Sequence, residues 1–162
     1  MIRANKTNKD VEYILDNLRK EDLLEVKTLW GNNWREEVLK RIMNVDFYVM
    51  LGITKDDKTP VCMGGIEHSY KDGEGIGCAW FLCTDEIKNH KIQILRELQK
   101  EVEKADEKFY LTYNIIYEKN YLAKRWLKWL GYKFDNPKPE GVYVPEGFEF
   151  FYRVRPVKGV GE

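Results

Sequence analysis

The hydrophobic pattern of the chain changes period several times, and the changes separate predicted helices from predicted strands. One apolar helix face is built by residues that recur at steps of three and four: Leu23, Val26, Leu29 and Trp30. Residues 47–53 instead form a continuous run rich in β-branched and aromatic side chains, which is typical of a buried strand. The chain therefore mixes helices and strands.

The same criteria, applied along the whole chain, predict elements in the order β-α-α-β-β-β-α-β-α-β-β. The predicted strands are residues 11–18, 47–53, 60–66, 76–84, 109–117, 132–134 and 148–154. The predicted helices are residues 21–30, 34–45, 89–105 and 121–130, with Gly131 suited to the left-handed position after the last one. Three strands before the long helix predict an antiparallel meander, and the strand–helix–strand step predicts one parallel crossover. We expect an α/β (α+β) fold with a mixed, mostly antiparallel sheet of six or seven strands and helices on both faces.

The length of 162 residues fits one domain with a substantial core. We expect a polar N-terminal extension at 1–10, a single domain at 11–155 and a C-terminal tail at 156–162. The 27 basic and 27 acidic residues cancel to zero formal net charge. Nucleic-acid coats and polybasic membrane anchors depend on a strong positive field, so the balance disfavours both classes.

The cysteines and the N-terminal sequence indicate the cellular compartment of the protein. Its three cysteines are odd in number and lack C-x-x-C spacing, and there are only two histidines. We therefore expect no metal site and a reducing compartment. No run of about 18 apolar residues predicts a membrane span, and no apolar signal core precedes the domain. We expect a cytoplasmic protein.

Residues 120–132 carry a spacing that belongs to a known family. Their sequence places Asn120, Ala123, Gly131 and Tyr132 on the motif Asn-x-x-Ala-x-x-x-Tyr-x-x-x-Gly-Phe/Tyr. Together with the predicted element order, the chain resembles the GCN5-related N-acetyltransferase (GNAT) superfamily, which transfers an acyl group from coenzyme A to an amine. The resemblance covers nearly the whole chain. It implies acetyl-CoA as cofactor and direct attack by an amine acceptor that the sequence does not name.

The resemblance also implies a set of cofactor-binding residues: Phe81, Leu82, Cys83, Lys88, Asn89, His90, Lys91, Asn120 and Lys124. The backbone of the first three would hydrogen-bond the pantetheine arm as an added pseudo-strand. The segment 88–91 would meet the pyrophosphate, Asn120 would lie near the thioester, and Lys124 would hold the 3′-phosphate. A buried thiol is the simpler interpretation of the Cys83 side chain, because the sequence places no base beside it.

Three residues are the catalytic candidates. Glu67 and His68 follow the second meander strand, which in this family faces the acceptor cleft, and either could take a proton from the amine. An ordinary strand end is the structural alternative. The motif tyrosine that protonates the departing thiolate in many family members is Leu127 here, which has no exchangeable proton. Tyr121 is the nearby candidate for that role.

Two departures from the family pattern support an alternative function. The segment 84–92 contains no glycine, so the lysines and histidine there would replace a backbone cradle by point charges at a helix start. The second departure is Leu127. Both fit a catalytically degenerate GNAT-fold binding protein. The tryptophan-rich sequence also resembles small phage-encoded acetyltransferase-like proteins, including the internal virion protein A type. That resemblance implies the host cytoplasm or the virion as location and a virion protein as partner. Trp80, Trp126 and Trp129 are typical of a core or of a dimer surface, so a homodimer is the other partner state to test.

Overall fold

The computed structural model describes residues 2–3, 7–43, 48–53, 59–69, 73–135 and 140–157. The α-helices are α1 (Asn8–Asp16), α2 (Lys20–Trp30), α3 (Trp34–Met43), α4 (Lys91–Ala105) and α5 (Tyr121–Trp129). Two 3-10 helices cover Gly31–Asn33 and Asp85–Asn89. The strands are β1 (Ile2–Arg3), β2 (Tyr48–Ile53), β3 (Pro60–His68), β4 (Ile76–Cys83), β5 (Leu111–Tyr117) and β6 (Phe148–Val154).

Within the described ranges, six strands form one sheet in the order β1-β2-β3-β4-β5-β6. Neighbouring strands are antiparallel except β4 and β5, which are parallel. A parallel pair needs a crossover, and α4 supplies it. The mixed α/β class, the β2–β4 meander and the single crossover agree with the sequence prediction.

Helices cover both faces of the sheet, as the side chains of β3 and β4 show. Met63 and Leu82 pack with buried residues of α1, α2 and α3. Their neighbours Cys62 and Cys83 pack with α4 and α5. Successive side chains of a strand point to opposite faces, so the two apolar clusters lie on opposite sides of the sheet. No helix within the described ranges is long and apolar enough to cross a membrane.

The predicted strand at 11–18 is wrong, because this segment belongs to α1. The Thr7 hydroxyl accepts the Asp10 N–H at 3.2 Å, and the Asp10 carboxylate accepts the Thr7 N–H at 3.2 Å. This capping box starts the helix. Val11, Ile14 and Leu15 then build the buried face at helical spacing. The residues expected as an extension thus include β1 and the first turn of α1.

Other elements also differ in their bounds from the sequence prediction. The predicted strand at 132–134 is reduced to a single bridge between Lys133 and Tyr152, because Tyr132 turns into the core and its hydroxyl accepts a hydrogen bond from Thr112 Oγ1 at 3.1 Å. The long helix begins at Lys91 because the preceding segment is a 3-10 helix. The predicted helix end at residues 44–45 and the strand start at residue 47 lie outside the described residues. Gly131 has φ 91°, the left-handed conformation expected there.

The parallel pair of β4 and β5 is short, and this shapes the centre of the molecule. The strands are in register only over three pairs, the last of which joins Cys78 to Tyr113. Asn114 ends the ladder, since its Nδ2 donates to the Ala79 carbonyl at 2.7 Å and its Oδ1 accepts the Ile115 N–H at 2.8 Å. Beyond this point the two strands diverge, so residues 79–83 are not in backbone register with β5.

Candidate active site

A cavity of about 660 Å³ lies where β4 and β5 diverge. Its walls come from α2, the diverging halves of the two strands, α4 and α5, and include Asp22, Glu25, Phe81, Cys83, Ile115 and Leu127. This volume lies in the range of sites for small molecules and cofactors. The cavity is therefore the candidate site.

Every second residue of β4 directs its backbone N–H and C=O toward this cavity. The Ala79 carbonyl faces Asn114 of β5. Backbone groups of alternate residues in a strand point the same way, so those of Phe81 and Cys83 also face the cleft, whereas those of Leu82 face β3. The Cys83 groups have partners, because its C=O accepts the Arg19 N–H at 2.9 Å and its N–H donates to Asp22 Oδ2 at 2.8 Å. Of the three residues predicted to bind the pantetheine arm, Phe81 presents its backbone to the open part of the cleft.

A buried polar cluster closes the wide end of the divergence, and we call Arg19, Asp22, Glu25 and Asn120 the inner cluster. Arg19 Nη2 lies 2.6 Å from Asp22 Oδ1 and 3.4 Å from Asn120 Oδ1. Arg19 is 3% exposed and Asp22 is 1% exposed. Buried charges of this kind require partners, and here each partner is another member of the cluster or the end of a strand.

Glu25 is the member of the inner cluster whose carboxyl group has a pKa shifted to near neutral pH. Its Oε1 accepts the Asn120 Nδ2–H at 2.9 Å and the Tyr117 N–H at 3.2 Å. Burial raises the pKa of Glu25 to about 7, and the charge of Asp22 adds to the rise, while the two hydrogen bonds and Arg19 oppose it. Within the described part of the chain, no donor reaches Oε2. The carboxyl group therefore titrates near neutral pH and keeps one oxygen unused.

Three of these residues were not predicted from the sequence. Arg19, Asp22 and Glu25 recur at steps of three, and Asp22 lies one turn before Val26 on the buried side of α2. A charged residue in line with the apolar face of a helix is the signal that would have found them. The fourth residue, Asn120, was predicted. Its Oδ1 accepts the Ala123 N–H at 3.4 Å, so it also caps α5.

The predicted bases Glu67 and His68 are not brought together. They are consecutive in β3, so their side chains point to opposite faces of the sheet. Glu67 forms an ion pair with Arg41 of α3, and the His68 ring lies 4.5 Å from the ring of Phe109. Tyr121 is 67% exposed on α5. None of these three side chains is among the residues that line the cavity.

The segment predicted to meet a pyrophosphate is held by acidic neighbours. Lys88 Nζ lies 2.7 Å from Asp85 Oδ1, Asn89 Nδ2 donates to Glu86 Oε2 at 3.2 Å, and His90 Nε2 lies 3.9 Å from Glu86 Oε2. These contacts are local to the 3-10 helix and the following turn. The N-terminus of α4, which begins with the exposed Lys91, has no side-chain cap. Its first backbone N–H groups are therefore open to an anion.

Two further predicted residues have structural partners. Lys124 forms an ion pair with Glu149 and donates to the Glu118 carbonyl at 3.2 Å. Burial, with the Asp22 charge, raises the pKa of the Cys83 thiol well above its usual range. A thiol held in its neutral form is a poor nucleophile, which fits the interpretation of Cys83 as a buried structural cysteine.

Comparisons with known proteins agree on the fold. No protein-family model matches the chain, and no curated protein matches it by sequence. Among solved structures it is similar to an aminoglycoside 6′-acetyltransferase type Ii, with 16% identity, 98% of this chain and 99% of the other covered, and a TM-score of 0.64. It is similar to a GNAT-family acetyltransferase from Streptococcus pneumoniae, with 13% identity, coverage of 95% and 98%, and a TM-score of 0.59.

A third solved structure contains the cofactor. It is the PaiA N-acetyltransferase from Thermoplasma acidophilum in complex with coenzyme A, with 13% identity, coverage of 95% and 98%, and a TM-score of 0.63. In all three comparisons nearly the whole of both chains is aligned. The chain therefore has the fold of the GNAT acetyltransferases.

Proposed function

We propose that this chain is an acyl-CoA-dependent N-acetyltransferase that transfers the acetyl group of acetyl-CoA to an amine in the cytoplasm. The observation that carries the proposal is the divergence of β4 and β5 beyond Cys78 and Tyr113, which opens a cavity beside an unpaired strand edge. The same fold has been solved with coenzyme A in PaiA.

The residues of the cleft fit an acyl-CoA. A pantetheine arm has two amide groups, and the N–H and C=O of Phe81 are the backbone groups that can pair with them as a strand would. The uncapped N-terminus of α4 supplies N–H groups and a favourable partial charge for the pyrophosphate. Lys91 adds a cation at the same helix end. When bound, acetyl-CoA supplies an activated thioester carbonyl for the amine to attack.

The other residues predicted to bind the cofactor contribute less to binding in this proposal, because they have partners within the protein. Asn120 fixes the inner cluster rather than the thioester, because both ends of its amide are hydrogen-bonded inside the protein. Lys124 reaches a phosphate only by leaving its ion pair with Glu149. Leu127 lines the cavity and cannot donate a proton, so the departing thiolate takes its proton from another source.

Two position-81 variants test the cofactor contact. Phe81→Pro removes the backbone N–H of residue 81. This N–H faces the cleft and makes no hydrogen bond to β3, so the β3–β4 ladder keeps its hydrogen bonds. Phe81→Leu keeps the N–H and most of the packing against Trp126, whose ring lies 6.5 Å away, so it is the matched control. Isothermal titration with acetyl-CoA should show an affinity about tenfold weaker for the proline variant, the equivalent of one hydrogen bond.

Wild-type protein must also release thiol from acetyl-CoA when an amine is added. A well-folded wild type that gives no heat with millimolar acetyl-CoA and releases no thiol contradicts the proposal. That result would instead favour the non-catalytic binding protein. Equal affinities for the proline and leucine variants would contradict the assigned contact at Phe81.

A further inference from the structure

The narrow end of the cleft is the place that an acceptor amine must reach in the proposed function. The pyrophosphate is placed at the start of α4, which follows Cys83 and the 3-10 helix in the chain. The pantetheine arm then passes Phe81, so the thioester lies toward Ala79. There the cleft is closed by the register pair of Cys78 and Tyr113.

The acceptor reaches this end from the side of α2 and α3. Helices α4 and α5 pack against the face of β4 that bears Phe81 and Cys83. Trp80 and Leu82 point to the opposite face, against α1, α2 and α3. Residues of this second face line the cavity, and we call four of them the acceptor wall: Trp30, Arg41, Trp80 and Tyr113.

Arg41 is the charged member of the acceptor wall, and its guanidinium is held in place. Its Nη1 donates to the Glu67 carboxylate of β3, and its Cζ lies 5.2 Å from the centre of the Trp30 ring. Glu67 faces Cys78 in the β3–β4 register, so this ion pair lies one strand away from the residue that closes the cleft. Arg41 therefore presents a positioned cation near the narrow end.

Glu67 occupies only part of this guanidinium. An arginine side chain is a planar fork of N–H donors. Among the described residues, Glu67 is the one that accepts a hydrogen bond from Arg41, and the Arg41 side chain is 40% exposed. A carboxylate pairs with such a fork through parallel hydrogen bonds. The remaining donors of Arg41 therefore suit a carboxylate on a ligand.

The other members of the acceptor wall are aromatic. Gly65, which has no side chain, lies opposite Trp80 in the β3–β4 register and lines the same cavity. Aromatic walls of this kind bind the apolar part of a ligand. Glu140 adds a carboxylate to the cavity lining, but it is exposed, so water and salt screen its charge.

We propose that the acceptor is an amine that carries a carboxylate on an apolar body, and that Arg41 selects it. The proposal rests on the proposed function and names its acceptor class. A polyamine or an aminoglycoside fits less well, because it would bring further cations toward Arg41.

The transfer itself balances with such an acceptor. The amine nitrogen attacks the thioester carbonyl carbon, the C–N bond forms and the C–S bond breaks. The electron pair of the C–S bond leaves on the sulfur of coenzyme A, and the proton released by the amine passes to that thiolate through water. The carboxylate of the acceptor is unchanged in the product.

The test uses pairs of acceptors that differ only by a carboxylate. L-phenylalanine is compared with phenethylamine, and 6-aminohexanoic acid with n-pentylamine, so the carboxylate lies either beside the amine or at the far end of the body. Spermidine serves as the polycation. Thiol release is corrected for release without an amine. The carboxylate preference is the ratio of kcat/KM within a pair, which cancels any loss of rate common to both members.

The proteins compared are wild type, Arg41→Lys, Glu67→Gln, the double variant Arg41→Gln with Glu67→Gln, and the control Lys40→Gln. The double variant removes both charges of the ion pair, so neither is left without its partner. Lys40 is the neighbouring cation on α3, pairs with Glu36 and Glu37, and does not line the cavity.

Wild type should prefer the acid about tenfold or more in at least one pair, which is the effect of a charge-assisted hydrogen bond, and should use spermidine less well than that acid. The preference should fall to about 1 in the double variant. Arg41→Lys should show an intermediate value, because lysine keeps the charge and loses the fork. Glu67→Gln should keep or increase the preference, since it removes the competing carboxylate, and Lys40→Gln should match wild type.

A merely structural role of Arg41 would change both members of a pair equally and leave the preference unmoved. If the double variant fails to fold, Arg41→Lys, which can keep the ion pair with Glu67, still carries the test. A preference that survives at the wild-type value in the folded double variant, or in Arg41→Lys when the double variant is lost, overturns the assignment. So does a Glu67→Gln variant that loses the preference.

The wild-type result separates the acceptor class from the proposed function. Transfer to amines with a preference near 1 in both pairs, or with spermidine as the best acceptor, overturns the acceptor class and leaves the proposed function intact. Acetyl-CoA binding without transfer to either acid also overturns the acceptor class. A wild type that neither binds acetyl-CoA nor releases thiol with any of these amines overturns both.

Discussion

The buried carboxyl of Glu25 should make the stability of the protein depend on pH in a direction that one substitution can reveal. Glu25→Gln removes the ionisable group and keeps an oxygen that can accept the hydrogen bonds from Tyr117 and Asn120. The structural change is small, so the difference between the two proteins reports the charge.

The magnitude follows from the acidity of the group. The pKa of Glu25 rises from 4.5 to about 7 on folding, and each pH unit is worth roughly 1.4 kcal/mol, so the linked free energy is about 3 kcal/mol. The folded protein binds this proton more tightly than the unfolded chain does. Its contribution to stability is therefore complete below pH 4.5 and is lost as the pH rises through 7.

The assay is urea unfolding of both proteins at pH 4.5 and pH 8. Groups that do not interact with Glu25 titrate equally in the two proteins, so they cancel in the difference, which then contains the ionisation of Glu25 together with its coupling to Asp22. The free energy of unfolding of Glu25→Gln relative to wild type should rise by about 3 kcal/mol from the lower to the higher pH. The control Glu36→Gln, which changes an exposed residue of α3 that pairs with Lys40, should show no such change. A Glu25→Gln difference that is the same at both values, within about 0.5 kcal/mol, would refute the burial argument.

Three further predictions concern the framework of the site. A Cβ on Gly64 would lie 2.8 Å from the Trp80 carbonyl oxygen, so Gly64→Ala should lower the free energy of unfolding by about 1–3 kcal/mol in urea titrations, and an unchanged midpoint would contradict the tight β3–β4 contact. Asp106→Ala leaves the guanidinium of Arg153 without its carboxylate and should cost about 3 kcal/mol, whereas Asp106→Asn, which keeps the shape, should cost less. Cys83 is 2% exposed, so mass spectrometry should find it unmodified by a thiol reagent until the protein unfolds, and rapid labelling of the native protein would contradict its burial.

The sequence predicted the elements whose periods were clear. The stripe of α4 and the apolar run of β2 left little doubt about type, and Gly131 marked the end of α5. The first helix was missed because acidic residues alternate with the apolar ones along the sequence, which resembled an irregular strand, although Val11, Ile14 and Leu15 keep helical spacing. The capping pair Thr7 and Asp10 carried the correct signal.

The candidate site was harder to predict than the fold, because its residues come from distant parts of the chain. The resemblance to the GNAT superfamily predicted Asn120 and the β4 segment that contains Phe81 as cofactor-binding residues. It gave no indication that Asn120 would hold Glu25, a residue 95 positions away. A buried ion pair such as Arg19 with Asp22 becomes visible only when α2 is placed against the ends of the two strands.

The central claim is that an acyl-CoA binds between β4 and β5, and a crystal structure of the chain grown with coenzyme A tests it most directly. We predict that the pantetheine arm lies in the divergence, with an amide of the arm paired to the backbone of Phe81 and the pyrophosphate at the N-terminus of α4. Coenzyme A bound at another surface, or a cleft that stays empty at saturating coenzyme A, would contradict the account.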